Sequence, residues 1–136
     1  MSLRVKLSFL DLSVTRFVIV GVANTFVGLM LIYLGKFFFN LSDVKANALG
    51  YFCGLIIGFI LNKQWSFRFS GSNISALARF FVVVFIAYTF NLITTLIMID
   101  IFFINSYLAQ AVGILPYAIV SYLGSRYYVF PENPDI

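Results

Sequence analysis

Asn62-Lys63-Gln64-Trp65-Ser66-Phe67 closes one long apolar run of this chain, and Ser125-Arg126-Tyr127-Tyr128-Val129-Phe130 closes another at an offset of 63. Arg16-Phe17 and Arg79-Phe80, which open two apolar runs, are separated by the same offset. Leu29/Leu92, Phe39/Phe102, Ala46/Ala109, Gly50/Gly113 and Ile56/Ile119 hold that register without a gap. Self-similarity at a fixed period reports architecture before any motif does. Each unit here is a pair of apolar segments, so the sequence predicts two fused membrane hairpins, over 16–67 and 79–130, within one domain covering 1–136.

Composition points the same way. Hydrophobic residues make up 62% of the 136 residues and charged residues 10%, and the mean hydropathy is +1.00, far from a water-soluble domain. The net charge of +4 would suggest nucleic acid in a soluble protein; in a membrane protein the placement of Lys and Arg sets topology instead. There is no histidine, which removes imidazole catalysis and the commonest transition-metal ligand, so neither a zinc site nor any other cofactor is expected. Cys53 is the one cysteine; it cannot form an internal disulfide and reads as a small packing residue. The first apolar run continues well beyond a signal-peptide core and lacks a small-residue cleavage site, so it is expected to remain as a span.

Four segments approach the roughly 20 residues that cross a hydrocarbon core: Phe17 to Leu34, Val44 to Leu61, Phe80 to Ile99 and Tyr107 to Leu123. Four strands could not close a barrel, and open backbone groups are not tolerated in lipid, so the fold class is all-α with four transmembrane helices. Ahead of the first span, Leu3, Leu7, Leu10 and Val14 recur at helical spacing with Arg4, Lys6 and Asp11 on other faces. That pattern fits a short interfacial helix over 1–15 or a frayed tail. Ser42-Asp43 and Asn105-Ser106 are good helix starts at equivalent places, and Gly71-Ser72-Asn73 reads as the linker between hairpins.

Seven cations (Arg4, Lys6, Arg16, Lys63, Arg68, Arg79 and Arg126) fall in the N-terminal segment, the central connection and the C-terminal end. The two hairpin turns hold only Lys36 and Lys45. The positive-inside rule therefore places both termini in the cytoplasm. With two spans per unit, the halves insert in one orientation, as parallel and not inverted repeats. In the second span Ala46, Gly50, Gly54 and Gly58 recur every four residues, a stripe that lets another backbone come close. The fourth span keeps Ala109, Gly113 and Ser121 but carries Tyr117 and a kink-forming Pro116.

The chemistry is expected at the cytoplasmic ends. Arg16 and Arg79 open the odd spans, Lys63 and Arg126 close the even ones, and Asn62, Trp65, Tyr127 and Tyr128 lie beside them. Phosphate takes charge-assisted hydrogen bonds and a sugar can lie on an aromatic face, so this set suits an anionic lipid headgroup. Topology alone also accounts for interfacial cations, Trp and Tyr. Within the spans, Asn24 lies about 12 Å beyond Arg16 at helical rise, and Asn91, Thr94 and Thr95 sit mid-span. They can meet sugar hydroxyls or join helices. Asp100 is the one acid near a span, so neither a proton relay nor a buried acid/base pair is evident, which disfavours an exchanger, a hydrolase and a transferase.

Arg16-Phe-Val-Ile-Val-Gly21-Val-Ala-Asn24-Thr25, with Gly58-Phe-Ile-Leu-Asn62-Lys63-Gln-Trp65-Ser-Phe67, resembles the signature of the GtrA-like family, and the likeness runs from about Arg16 to Phe130. Lys63 stands where Arg is common, keeping charge but not forked phosphate geometry, and the second unit has Ser125 in place of Asn. The resemblance implies a small four-span, non-enzymatic protein of cell-surface polysaccharide synthesis in a bacterial or archaeal cell membrane. It would move a polyprenyl-phosphate-linked sugar, such as undecaprenyl-phosphate glucose, to the outer leaflet for a membrane glycosyltransferase. The alternative is an accessory subunit that anchors such an enzyme without moving lipid. Four helices barely enclose a headgroup route, so a homodimer or larger assembly is expected, with the glycine stripe as a candidate contact. Single-cysteine labelling in sealed vesicles is expected to find positions 63 and 126 on the same, cytoplasmic, side; opposite sides would refute the parallel arrangement.

Overall fold

The computed structural model describes the backbone of residues 3–132 and the side chains of residues 12–132. Its elements are α1 (Leu3–Phe39), α2 (Asp43–Leu61), a π-helical turn (Asn62–Ser66), α3 (Asn73–Asp100), α4 (Ser106–Gly124) and a second π-helical turn (Ser125–Val129). No strand occurs among the described residues. The chain divides into two compact units, Met1–Arg68 and Phe69–Ile136. Four helices are long and apolar enough to cross a membrane, and apolar side chains stay exposed along all of them, for example Phe26, Phe52, Phe85 and Ile119. The chain is a multi-pass, all-α membrane protein.

The odd helices begin earlier than hydropathy alone predicts. Helix α1 is continuous from Leu3, with no Gly or Pro before Gly21 to interrupt it. The side chains of Leu3, Arg4, Lys6, Leu7, Leu10 and Asp11 lie outside the described residues. Helix α3 starts at Asn73, which belongs to the helix and not to the linker, because Asn-Ile-Ser-Ala-Leu-Ala contains no breaker before Arg79. Both arginines therefore sit inside helices, a turn or more from any end.

Each hairpin turns by a matching device. Asn40 (φ 51°) and Phe103 (φ 53°) adopt the left-handed conformation, while Leu41 N–H donates to Gly35 O at 3.2 Å and Ile104 N–H to Met98 O at 3.0 Å. These six-residue closures satisfy carbonyls that a helix end leaves open. Ser42 Oγ then accepts from Lys45 N–H at 3.3 Å and Asn105 Oδ1 from Leu108 N–H at 2.8 Å, the helix starts expected from sequence. Across the first turn Lys36 and Asp43 pair at 2.5 Å, both well exposed, and such surface pairs contribute little. Helix α4 runs on through Pro116.

Small residues bring the helices together. In the first hairpin the α2 stripe Ala46, Gly50, Gly54 and Gly58 is buried and turned onto α1. A Cβ at Gly50 would come within 2.8 Å of the Gly28 carbonyl oxygen, and one at Gly58 within 3.1 Å of Asn24 Nδ2. The stripe is thus filled from within its own hairpin, which corrects its reading as a contact for a second copy. In the second hairpin a Cβ at Gly113 would meet Thr95 Oγ1 and lie 3.0 Å from the Asn91 carbonyl oxygen, and one at Gly124 would lie 2.5 Å from Val83. Gly28/Asn91 and Ile32/Thr95 share the offset of Gly50/Gly113, so the close approach falls at equivalent positions.

Lipid is as apolar as a leucine side chain, so this proximity holds by dispersion and not by expulsion of water. Gly50→Ala is expected to destabilise the protein in detergent micelles by about 1–3 kcal/mol through overpacking. Gly21→Ala, with nothing within 4 Å of its Cβ, is expected to leave the melting temperature unchanged or raise it, as helical Gly→Ala does.

Candidate functional site

The two π-turns lie at the open ends of the hairpins, opposite the turns at Asn40 and Phe103, and form the tips at which the arginines sit. A π-turn closes through i→i+5 bonds, seen here in Phe67 N–H to Asn62 O at 2.9 Å and Phe130 N–H to Ser125 O at 2.8 Å. The last carbonyls of such a turn have no partner along their own helix, and in each hairpin an arginine from the odd helix supplies one. Arg16 Nη1 donates to Trp65 O at 3.3 Å and Arg79 Nη2 to Val129 O at 3.0 Å. A cation at the C-terminal end of a helix also meets the negative end of its dipole.

In the first tip the Arg16 guanidinium carbon lies 5.7 Å from the centre of the Trp65 ring, within cation–π range. Ser66 Oγ donates to Asn62 Oδ1 at 2.8 Å, and both residues are buried. The Phe17 and Phe67 rings pack 6.2 Å apart, and Lys63 is half-buried on the π-turn. Arg16, Asn62, Lys63 and Trp65 are therefore gathered at one tip. Asn24 stands apart from them, deeper in the hairpin against Gly54 and Gly58. Thr25 beside it returns its hydroxyl to Gly21 O at 2.9 Å.

In the second tip Arg126 Nη1 donates to Tyr122 Oη at 3.2 Å, its guanidinium carbon is 5.6 Å from the Tyr127 ring centre, and Nη2 pairs with Glu132 at 3.8 Å. Phe69 and Phe130 pack at 5.5 Å. Arg79 and Arg126 both belong to this tip, whereas Asn91 lies farther along α3 against Gly113. Sequence reasoning did not find Ser121 and Ser125 as polar candidates. Both are buried, and their hydroxyls have no hydrogen-bond partner among the described residues. The signal was the Ser that replaces Asn at 125.

Residues 16–130 match the GtrA/DPMS transmembrane domain. The chain belongs to that family. No curated protein gives a significant match. The matched region contains both tips and all eight residues singled out from sequence: Arg16, Asn24, Asn62, Lys63, Trp65, Arg79, Asn91 and Arg126. Membership suggests a part in handling polyprenyl-linked sugars and fits a small, non-catalytic membrane protein.

Because Trp65 is the one tryptophan, its fluorescence reports the first clamp. Arg16→Gln is expected to shift the Trp65 emission maximum and to lower stability by about 1–2 kcal/mol, the loss of one charged hydrogen bond and a cation–π contact. Lys36→Gln, about 30 Å away along α1 at helical rise, is expected to leave the emission unchanged.

Proposed function

We propose that this protein carries a polyprenyl-phosphate-linked sugar, such as undecaprenyl-phosphate glucose, from the cytoplasmic to the outer leaflet of a bacterial or archaeal cell membrane. The observation that carries the reading is the family match across residues 16–130, which takes in two tips that each combine arginine with aromatic rings and a helix-end carbonyl held by an arginine. In this reading both termini and both tips face the cytoplasm. The prenyl tail stays in the bilayer, so only the headgroup needs polar contacts. The cations proposed for the phosphate are Arg16 and Lys63 at the first tip and Arg79 and Arg126 at the second, each hairpin taken by itself; Asn62 and Trp65 lie beside the sugar at the first, and Asn24 and Asn91 offer carboxamides within the hairpins.

The clamps refine these roles. Arg16 and Arg79 each direct one nitrogen to a backbone carbonyl, while a guanidinium carries five N–H donors. Holding one donor fixes the arginine without exhausting it. A glycosyltransferase in the same membrane is the proposed consumer of the lipid, and a second copy of the chain completes the route. Since the α2 stripe is filled by α1, the contact between copies uses another face.

The test is reconstitution of the pure protein into vesicles with labelled undecaprenyl-phosphate glucose in one leaflet. Transbilayer movement above that of empty vesicles is expected, reduced tenfold or more in Arg79→Gln, the loss of a charged hydrogen bond. No movement, with glycosyltransferase binding intact, would overturn transport in favour of an anchoring subunit.

A further inference from the structure

The two tips are not equally satisfied. In the first, Asn62 Oδ1 and Ser66 Oγ bond each other. At the positions equivalent to Gly58, Asn62 and Ser66 the second has Ser121, Ser125 and Val129. The Ser121 and Ser125 hydroxyls and Arg79 Nε are buried there without a hydrogen-bond partner among the described residues. Ser121 and Ser125 are only 7% and 1% exposed.

These three donors lie on one stretch of a single seam. Ser121, Ser125 and Val129 follow at steps of four, so their side chains share the face of α4 and its π-turn that is buried. Arg79 reaches that face, since Nη2 bonds the Val129 carbonyl. Val83, one turn beyond Arg79 on α3, lies against Gly124. Leaving a charged donor and two hydroxyls unpaired in an apolar interior is costly. All three can donate, so the complement they lack is an acceptor, best an anionic oxygen. Arg126 has Glu132 as a counter-charge, whereas Arg79 has no acidic partner among the described residues.

Alongside runs an apolar groove of about 330 Å³ lined by Val83, Ile86, Val120, Leu123, Gly124 and Tyr128. It shares the Val83–Gly124 contact with the polar seam. An acceptor that is anionic at one end and a branched hydrocarbon at the other matches both features together.

We propose that the phosphate is held in the second hairpin, which narrows the four cations of the carrier reading to Arg79, with Arg79, Ser121 and Ser125 taking phosphate oxygens and the groove beside Gly124 taking the first isoprene units. This rests on the carrier reading above and assigns the two halves different work: the first tip is closed on itself, and the second is built to receive.

The test uses the full chain in detergent micelles with undecaprenyl phosphate and inorganic phosphate as probes. Ser125→Ala and Ser121→Ala are each expected to weaken undecaprenyl phosphate binding about tenfold. Neither is expected to lower the melting temperature of the ligand-free protein, because an unpaired buried hydroxyl is removed. Ser66→Ala is the reciprocal control: it breaks the Asn62 bond, so it lowers the melting temperature and leaves binding unchanged. Ile86→Ser, in the groove, is expected to weaken the lipid and not inorganic phosphate. Should both probes bind equally and Ile86→Ser weaken neither, the subsite takes free phosphate and the lipid assignment fails. Wild-type binding in both serine variants, with vesicle transport intact, would overturn the proposal while leaving the carrier reading standing. Absence of both binding and transport in the wild type would remove the carrier reading itself.

Discussion

Two helices in a bilayer gain nothing by hiding apolar surface from one another, so they stay together only where they can touch closely. Everything in each hairpin follows from the places where a side chain is missing. Gly50 lies against the Gly28 carbonyl and Gly113 against that of Asn91, which brings backbones near enough for dispersion to act over many atoms. That separation sets the reach from Arg16 to the Trp65 carbonyl and from Arg79 to that of Val129. With bulkier residues at 50 and 113 the arginines would fall short and the tips would lose their fixed form.

The hairpins solve the same packing problem with different residues. In the first, Asn24 on the odd helix fills the space over Gly54 and Gly58 on the even one. At the corresponding positions the second has Ala87, fully buried, with Tyr117 and Ser121. Bulk and polarity have moved from one helix to its neighbour. The exchange relocates the hydrogen-bonding groups, which separates a closed tip from one with unpaired donors.

The fold class, the four spans, the Ser42 and Asn105 caps and the packing role of the glycine stripe were legible in the sequence. Hydropathy and capping depend on neighbours in the chain and on residue type, which a sequence displays. The π-turns were not legible: an i→i+5 bond uses the same backbone groups as an α-helix, and nothing in Asn-Lys-Gln-Trp-Ser or Ser-Arg-Tyr-Tyr-Val marks the change. The arginine clamps were hidden for a related reason, since Trp65 and Val129 contribute carbonyls that any residue would have. The left-handed backbone at Phe103 was hidden as well, because a bulky aromatic residue occupies a position that suits Asn40 far better. The eight candidate residues were chosen by type and spacing, but their division into tip residues (Arg16, Asn62, Lys63, Trp65, Arg79 and Arg126) and seam residues (Asn24 and Asn91) required the three-dimensional arrangement.

The clamps also tie occupancy to mechanics. Under the proposed subsite, an anion met by the spare donors of Arg79 would leave the Val129 carbonyl covered, whereas one that drew the whole guanidinium away would bare the end of the helix pair. The grip on an anion and the stiffness of the hairpin would then be linked through one side chain.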